Sequence, residues 1–292
     1  MTRKVFIYND IGTGPNSTSD IKELFTSKDI FSSTPDVLEK NFDFNMDGLS
    51  NPVFVVPGGS TTLIGHRLKP QMDKIKIQFK DRYGYVGVCA GAYLGVSDAE
   101  LFHLHYEPMK ENPKASFLCS TNTIKIALDM INDYGAFGAF YPNEKHRFET
   151  TKELIPYRVS ISSTKTNREF SQLYVAGPAF YPIDDKPRAQ VMAYYKNSNQ
   201  YTLFSNSHSN FNSLPAIICR APTEKSGGKF LAATHIETCI KNSKLLRFFK
   251  QEGLKHNSLQ EGEIEILESE QELARGEIEL MLKEALSDDY KP

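Results

Sequence analysis

Residues 84–96 read GYVGVCAGAYLGV. A β-branched and small apolar run delivers the chain to Cys89, and Ala90, Gly91 and Ala92 follow at once. A strand that enters a helix through a tight elbow holds its corner residue in a strained backbone conformation, so the residues around it must be small. Gly87, Ala90 and Gly91 meet that need. The stretch therefore predicts strand, elbow, helix, with the Cys89 thiol above the C-terminal edge of a sheet, where ligands bind in open α/β folds. There it lies at a helix N-terminus, whose partial positive charge favours thiolate over thiol. The Ala90 amide points at any oxyanion formed beside the sulfur. The competing reading is a buried structural cysteine in a Gly/Ala packing turn, because free cysteines are often buried and inert.

Upstream, KVFIY (Lys4–Tyr8) and PVFVV (Pro52–Val56) are continuous apolar runs of the kind buried on both faces of a parallel sheet. The first ends in turn formers, with Asp10 placed to cap the turn or to approach the same sheet edge. Ser19 or Asp20 is the expected cap of a helix over IKELF. The second strand runs into Pro57-Gly58-Gly59-Ser60. The Gly58 and Gly59 amides are unobstructed, so Gly59 and Ala90 together can form an oxyanion hole; an ordinary Pro-Gly turn is the plainer alternative. Met72, Ile75 and Phe79 recur at helical spacing and predict a helix over 70–82. Alternating strand and helix argue a doubly wound, mostly parallel sheet of the flavodoxin-like α/β class. From residue 154 strand-like segments dominate (RVSIS, QLYVAG, QVMAYY, YTLFS, PAIICRA, KFLAATHIE), which adds β-strands to that sheet.

The last of these carries His235 and Glu237, two residues apart. In an extended segment alternate residues face the same way, so the carboxylate can hold the imidazole from behind while its other nitrogen faces Cys89. Beyond residue 257 the chain turns acidic and helical. Ile264, Leu267, Ala274, Ile278, Met281 and Ala285 fall near a/d spacing, and Gln271 interrupts the series. The expected organisation is one domain over 1–250 and an amphipathic acidic helix over 257–288. That helix docks on its own domain or serves as a protein-partner or self-association element.

A net charge of -2 supplies no global field toward nucleic acid or an acidic membrane, and no apolar stretch approaches the roughly 20 residues of a bilayer span. Neither partner is expected. The four cysteines, Cys89, Cys119, Cys219 and Cys239, have no CxxC spacing. They point to reduced thiols in a cytoplasmic compartment rather than to zinc; export by a non-Sec route is compatible with them. His103 and His105 alternate, but with no third ligand evident neither a metal nor a cofactor is expected. Tyr93, Tyr174, Phe180 and Tyr181 are candidates for the site mouth or for the core.

The elbow, the glycine pair and His-x-Glu, in that order, resemble the class I glutamine amidotransferase-like superfamily, which includes the DJ-1/PfpI proteins. Cys89, His235 and Glu237 match its nucleophile, histidine and glutamate. A closer likeness is to the N-terminal domain of eukaryotic-type biotin–protein ligases and its stand-alone bacterial relatives. VFIYNDIGTGPNS, VFVVPGG, GVCAGAYLG, YVAGPAFYP, AQVMAYY and AIICRAP leading to THIE carry it, leaving the acidic tail outside. The resemblance implies a Cys-His-Glu site taking a small-molecule or peptide amide, with Gly58, Tyr93 and Asp10 about the pocket. Two departures count. Glutamine-using members have Gln where this chain has Tyr93, so glutamine hydrolysis is not expected. The Gly-Arg-Gly-Arg-x-Gly biotinyl-adenylate loop is missing, so biotin ligation is not expected either. The alternative is a non-catalytic binding or regulatory module on the same fold.

Overall fold

The computed structural model describes residues 3–26, 34–38, 49, 51–71, 74, 83–96, 98–100, 137–140, 156–175, 177–182, 189–196, 214–222, 227–255 and 257–286. The helix expected over 70–82 falls almost wholly outside them, as do YTLFS, Cys119, His103 and His105.

Five strands run parallel: β1 (Val5–Tyr8), β2 (Asp36–Leu38), β3 (Val53–Val56), β4 (Gly84–Val88) and, from much later in the chain, β12 (Lys229–Ala232). Their spatial order is β2-β1-β3-β4-β12, the 2-1-3-4-5 order of a flavodoxin-like sheet. β1, β3 and β4 are almost entirely buried, as expected of apolar runs covered on both faces. Beyond β12 the sheet continues antiparallel through β11 (Pro215–Arg220), β10 (Gln190–Tyr195), β7 (Tyr157–Ser163) and β8 (Glu169–Tyr174). These are the added strands. β5 (Asp98–Glu100), β6 (Phe137–Phe140) and β9 (Ala179–Pro182) form a small second sheet.

The antiparallel half does not lie flat. By pairing order β8 is the outermost strand, five positions from β4. Yet the His235 amide donates to the Leu173 carbonyl of β8 at 2.9 Å. The sheet therefore curls back on itself, helped by irregular register in β10 around Ala193. This curl brings the far end of β8 over the C-terminal edge of β4 and β12.

Around the sheet stand α1 (Ser17–Phe25), α2 (Thr61–Leu68), α3 (Ala90–Leu94), α4 (Lys244–Lys255), α5 (Glu261–Ser269) and α6 (Gln271–Leu286). Neither Ser19 nor Asp20 caps α1, whose N-cap is Asn16 at φ 63. Asp20 lies in the first turn of α1 and reaches across space instead. Its carboxylate accepts from Ser243 Oγ at 2.6 Å and from the Leu245 amide at 2.8 Å. It thus caps α4, 223 residues on, where an anion meets the positive end of the helix.

The acidic tail forms two helices rather than one. A capping box between Gln260 and Glu263 starts α5, and the chain breaks at Glu270 before α6. Leu267 and Ile264 join Leu173, Val175 and α4 in a side cluster. Ile278, Met281, Leu282 and Leu286 belong to the main core.

Candidate active site

Cys89 occupies the junction of β4 and α3 with φ 50 and ψ -101, a conformation that costs a non-glycine residue on the order of 1–3 kcal/mol. Packing enforces it. A Cβ on Gly91 would lie 2.1 Å from the Val56 carbonyl oxygen, so only glycine lets the elbow press against β3. The Cys89 amide is tied to the Ala232 carbonyl at 2.8 Å, and its own carbonyl accepts from the Ala92 amide. The corner is fixed from both sides.

The expected alternation of His235 and Glu237 along a strand is not how they meet. β12 ends at Ala232, and Ile236–Cys239 is a 3-10 turn that follows His235. Thr238 causes the turn: its amide and its hydroxyl both donate to the His235 carbonyl, at 3.0 and 2.7 Å. The turn places Glu237 Oε1 3.1 Å from His235 Nδ1. The two side chains are almost wholly buried, His235 at 4% and Glu237 at 0% exposure. Burial disfavours the imidazolium, but the charges of Cys89 and Glu237, and hydrogen bonds to both, outweigh it and raise the His235 pKa to about 10. The structure thus brings Cys89, His235 and Glu237 together.

The glycine pair lies against them. A Cβ on Gly58 would meet His235 Cε1 at 2.5 Å and Cys89 Cβ at 3.5 Å, so Gly58 forms the wall beside the sulfur and the imidazole. Gly59 pairs with Thr13 in an isolated bridge, and the Gly14 amide donates to the Gly58 carbonyl at 2.8 Å. GTGP is therefore a loop that braces the glycine turn. Ala90 opens α3 directly after the cysteine. Asp10 makes local contacts, its Oδ1 accepting from the Ile11 amide and its Oδ2 from Arg67 Nε at 2.5 Å. Tyr93 and Phe180 are buried. Tyr174, also buried, donates its hydroxyl to the Gly177 carbonyl. Of Tyr181 only the backbone, in β9, is described.

Sequence reasoning missed four contributors. Ser17, in the first turn of α1, donates its hydroxyl to Glu237 Oε1 at 2.6 Å. Val175, just past β8, accepts from Cys89 Sγ through its carbonyl at 3.3 Å. Tyr195 lies near enough to Cys89 that burial first, and then the sulfur's charge, raise its pKa well above the usual value. Phe249 of α4 flanks the imidazole with ring centroids 5.7 Å apart. The sequence signal for Val175 lies in YVAGPAFYP, whose Gly177 has no room for a Cβ because the Ala233 carbonyl oxygen would lie 1.7 Å from it.

Residues 3–286 match the family model described as biotin-protein ligase, N terminal. The match takes in the acidic tail, which the sequence motifs had left outside. No curated protein matches the chain. A solved structure titled "Crystal structure of glutamine amidotransferase" is similar over 85% of this chain and 98% of that chain, at 14% identity and a TM-score of 0.47.

Proposed function

Since the chain belongs to the biotin–protein ligase N-terminal family, with a flavodoxin-like α/β sheet, we propose that it is a cysteine hydrolase acting on a small-molecule or peptide amide and that residues 3–286 transfer no biotin themselves. The observation that carries this reading is the buried His235, held between the Cys89 sulfur and the Glu237 carboxylate. Cys89 is the nucleophile. Its sulfur adds to the carbonyl carbon, and the oxyanion is held by the Gly59 and Ala90 amides. His235 gives its proton to the departing amine, leaving a thioester on Cys89. Water then attacks the thioester while His235 takes a proton from it, and the thiol is restored. Glu237 keeps Nδ1 engaged so that Nε2 is the working nitrogen. Gly58 and Tyr93 border the substrate.

No described helix is long and apolar enough to cross a membrane, and Cys89, Cys219 and Cys239 are free thiols. The three thiols support a reducing, cytoplasmic setting as part of the proposal.

A second reading is a non-catalytic binding module. Its specific support is the Sγ-to-Val175 hydrogen bond, which engages the sulfur with a backbone carbonyl, together with Tyr93 where glutamine users have Gln. Mass spectrometry of the full chain after exposure to an amide and ester panel separates the two readings. Hydrolysis means an acyl adduct on Cys89 that disappears in Cys89→Ser and that amide substrates fail to form in His235→Asn. If no adduct forms and iodoacetamide alkylates Cys89 no faster than it alkylates glutathione, the hydrolase reading fails and the binding module stands.

A further inference from the structure

Gln271 breaks the apolar a/d series of the acidic tail, and its position in the fold accounts for the break. It opens α6 immediately after the chain bends at Glu270. Its side-chain Nε2 donates to the Thr238 carbonyl at 2.9 Å and to the Ile240 carbonyl at 2.9 Å. Both amide hydrogens are therefore spent on two carbonyls at the end of the 3-10 turn that carries Glu237. Carbonyls at the end of a helical turn have no partner within it. In this interior they need a donor from elsewhere.

From this bridge we infer that α6 is a positioning element of the active site, and that Gln271 is the residue through which it fixes Glu237 against His235. The inference rests on the proposed roles of those two residues. The other supports of the turn act at its first half: Leu173 O takes the His235 amide, and Thr238 closes on the His235 carbonyl. Ser17 holds the Glu237 carboxylate itself. The exit of the turn is held by Gln271, with a longer 3.3 Å contribution from the Ser243 amide to the Ile240 carbonyl. Glu237 Oε2 has no hydrogen-bond partner among the described residues, so the carboxylate is oriented by Oε1 and by the backbone that carries it. A turn loosened at its exit lets Oε1 drift from Nδ1. Leu, Ile or Met at position 271 would complete the apolar series, strip the Thr238 carbonyl of its Gln271 donor and leave the Ile240 carbonyl with the longer Ser243 contact.

The test follows the titration of His235 by NMR in the full chain carrying labelled histidine. Cys89, Glu237 and, through Cys89, Tyr195 bear on that imidazole from their three elements, while Arg275 and Glu279 of α6 act on the neighbouring Cys239. Glu237→Gln serves as the reference variant and lowers the His235 midpoint. Gln271→Met, of similar length but with no donor, lowers it by about one pH unit, the size of one ordinary net hydrogen bond. Cys89 alkylation near neutral pH slows in parallel. Gln271→Leu, uncharged and likewise without a donor, gives the same direction and substitutes should the Met variant misfold. A Gln271 variant that lowers thermal stability while the His235 midpoint stays put would make the bridge merely structural and overturn the inference. A midpoint that Glu237→Gln does not move would instead bring down the assignment of Glu237.

Discussion

At the scale of single residues, the site depends on how closely a backbone can approach an imidazole. Gly58 is the sharpest case. A methyl group there would meet His235 Cε1 at 2.5 Å and Nδ1 at 3.0 Å. The obstacle is a side chain, so the ring gives way and the fold survives. Gly58→Ala is expected to leave circular dichroism unchanged and to slow Cys89 alkylation by about tenfold or more, as misplacement by a fraction of an ångström does in oriented reactions. An unchanged alkylation rate would show that the ring has another place to sit. Cys89, His235 and Glu237 were legible in the sequence because each stands in a short motif with a local reason. The elbow needs small neighbours, and a His two residues before a Glu can share a face. The partners were not legible. Val175 contributes a carbonyl, which every residue has, and Ser17 meets Glu237 across 220 positions of chain. Periodicity also gave the wrong cause for a correct pairing, since a hydroxyl at Thr238 turns the chain where alternation predicted a strand.

At the scale of elements, the acidic helix spends part of its charge on its own domain. The turn between β7 and β8, Thr164–Arg168, carries Lys165 and Arg168, and α6 meets it with Glu277 and Glu284. Thr166 Oγ1 donates to Glu277 Oε2 at 2.8 Å, and the Ser171 amide donates to Glu270 Oε2 at 2.7 Å. The Arg168 pair is long, 3.9 Å, and mostly exposed on the arginine side, so it adds little. The Thr166 bond is the substantial one, because Glu277 itself is only 3% exposed. Glu277→Ala is expected to cost about 1–2 kcal/mol in urea unfolding, and to speed amide exchange in the β7–β8 turn ahead of the rest of the sheet. Uniform exchange rates across β7, β8 and β4 would mean that the hairpin does not depend on the helix. The composition shift at residue 257 is visible in sequence, but the basic turn that receives it lies about a hundred residues earlier. Nothing local announces that the two will pair. The parallel half of the sheet was readable for the opposite reason: its strands are apolar on both faces, so the runs stand out without knowledge of their neighbours.

At the scale of the whole molecule, α5 and α6 complete the fold. Ile278, Met281, Leu282 and Leu286 are buried in the main core. Full burial of each such side chain is worth roughly 1.5–3 kcal/mol, against a net stability of about 5–15 kcal/mol for a typical protein. Deleting them to test for a partner would remove the protein along with the surface. A gentler global probe is pH. His235 has its pKa raised from 6.5 to about 10, burial opposing and the Cys89 and Glu237 charges and hydrogen bonds prevailing. The folded chain therefore binds more protons than the unfolded one across that interval, and stability falls as pH rises through it. His235's contribution is complete below about 6.5 and gone once pH has passed about 10. Burial pushes the Cys219 thiol from 9.0 up to about 12, and Cys239 shifts the same way. The unfolded chain ionises these thiols first, so stability declines further on the alkaline side. The expected profile is a fall in the urea midpoint that begins near neutrality and steepens above about pH 9. In His235→Asn the fall between about pH 6.5 and 9 should flatten, while the steeper alkaline limb, which belongs to the buried thiols and, above about pH 10, also to the buried tyrosines Tyr8, Tyr85 and Tyr195, persists. A wild-type midpoint that holds level or climbs across this range would mean that the imidazole is neutral in the folded protein, and that the charges of Cys89 and Glu237 do not hold a proton on it.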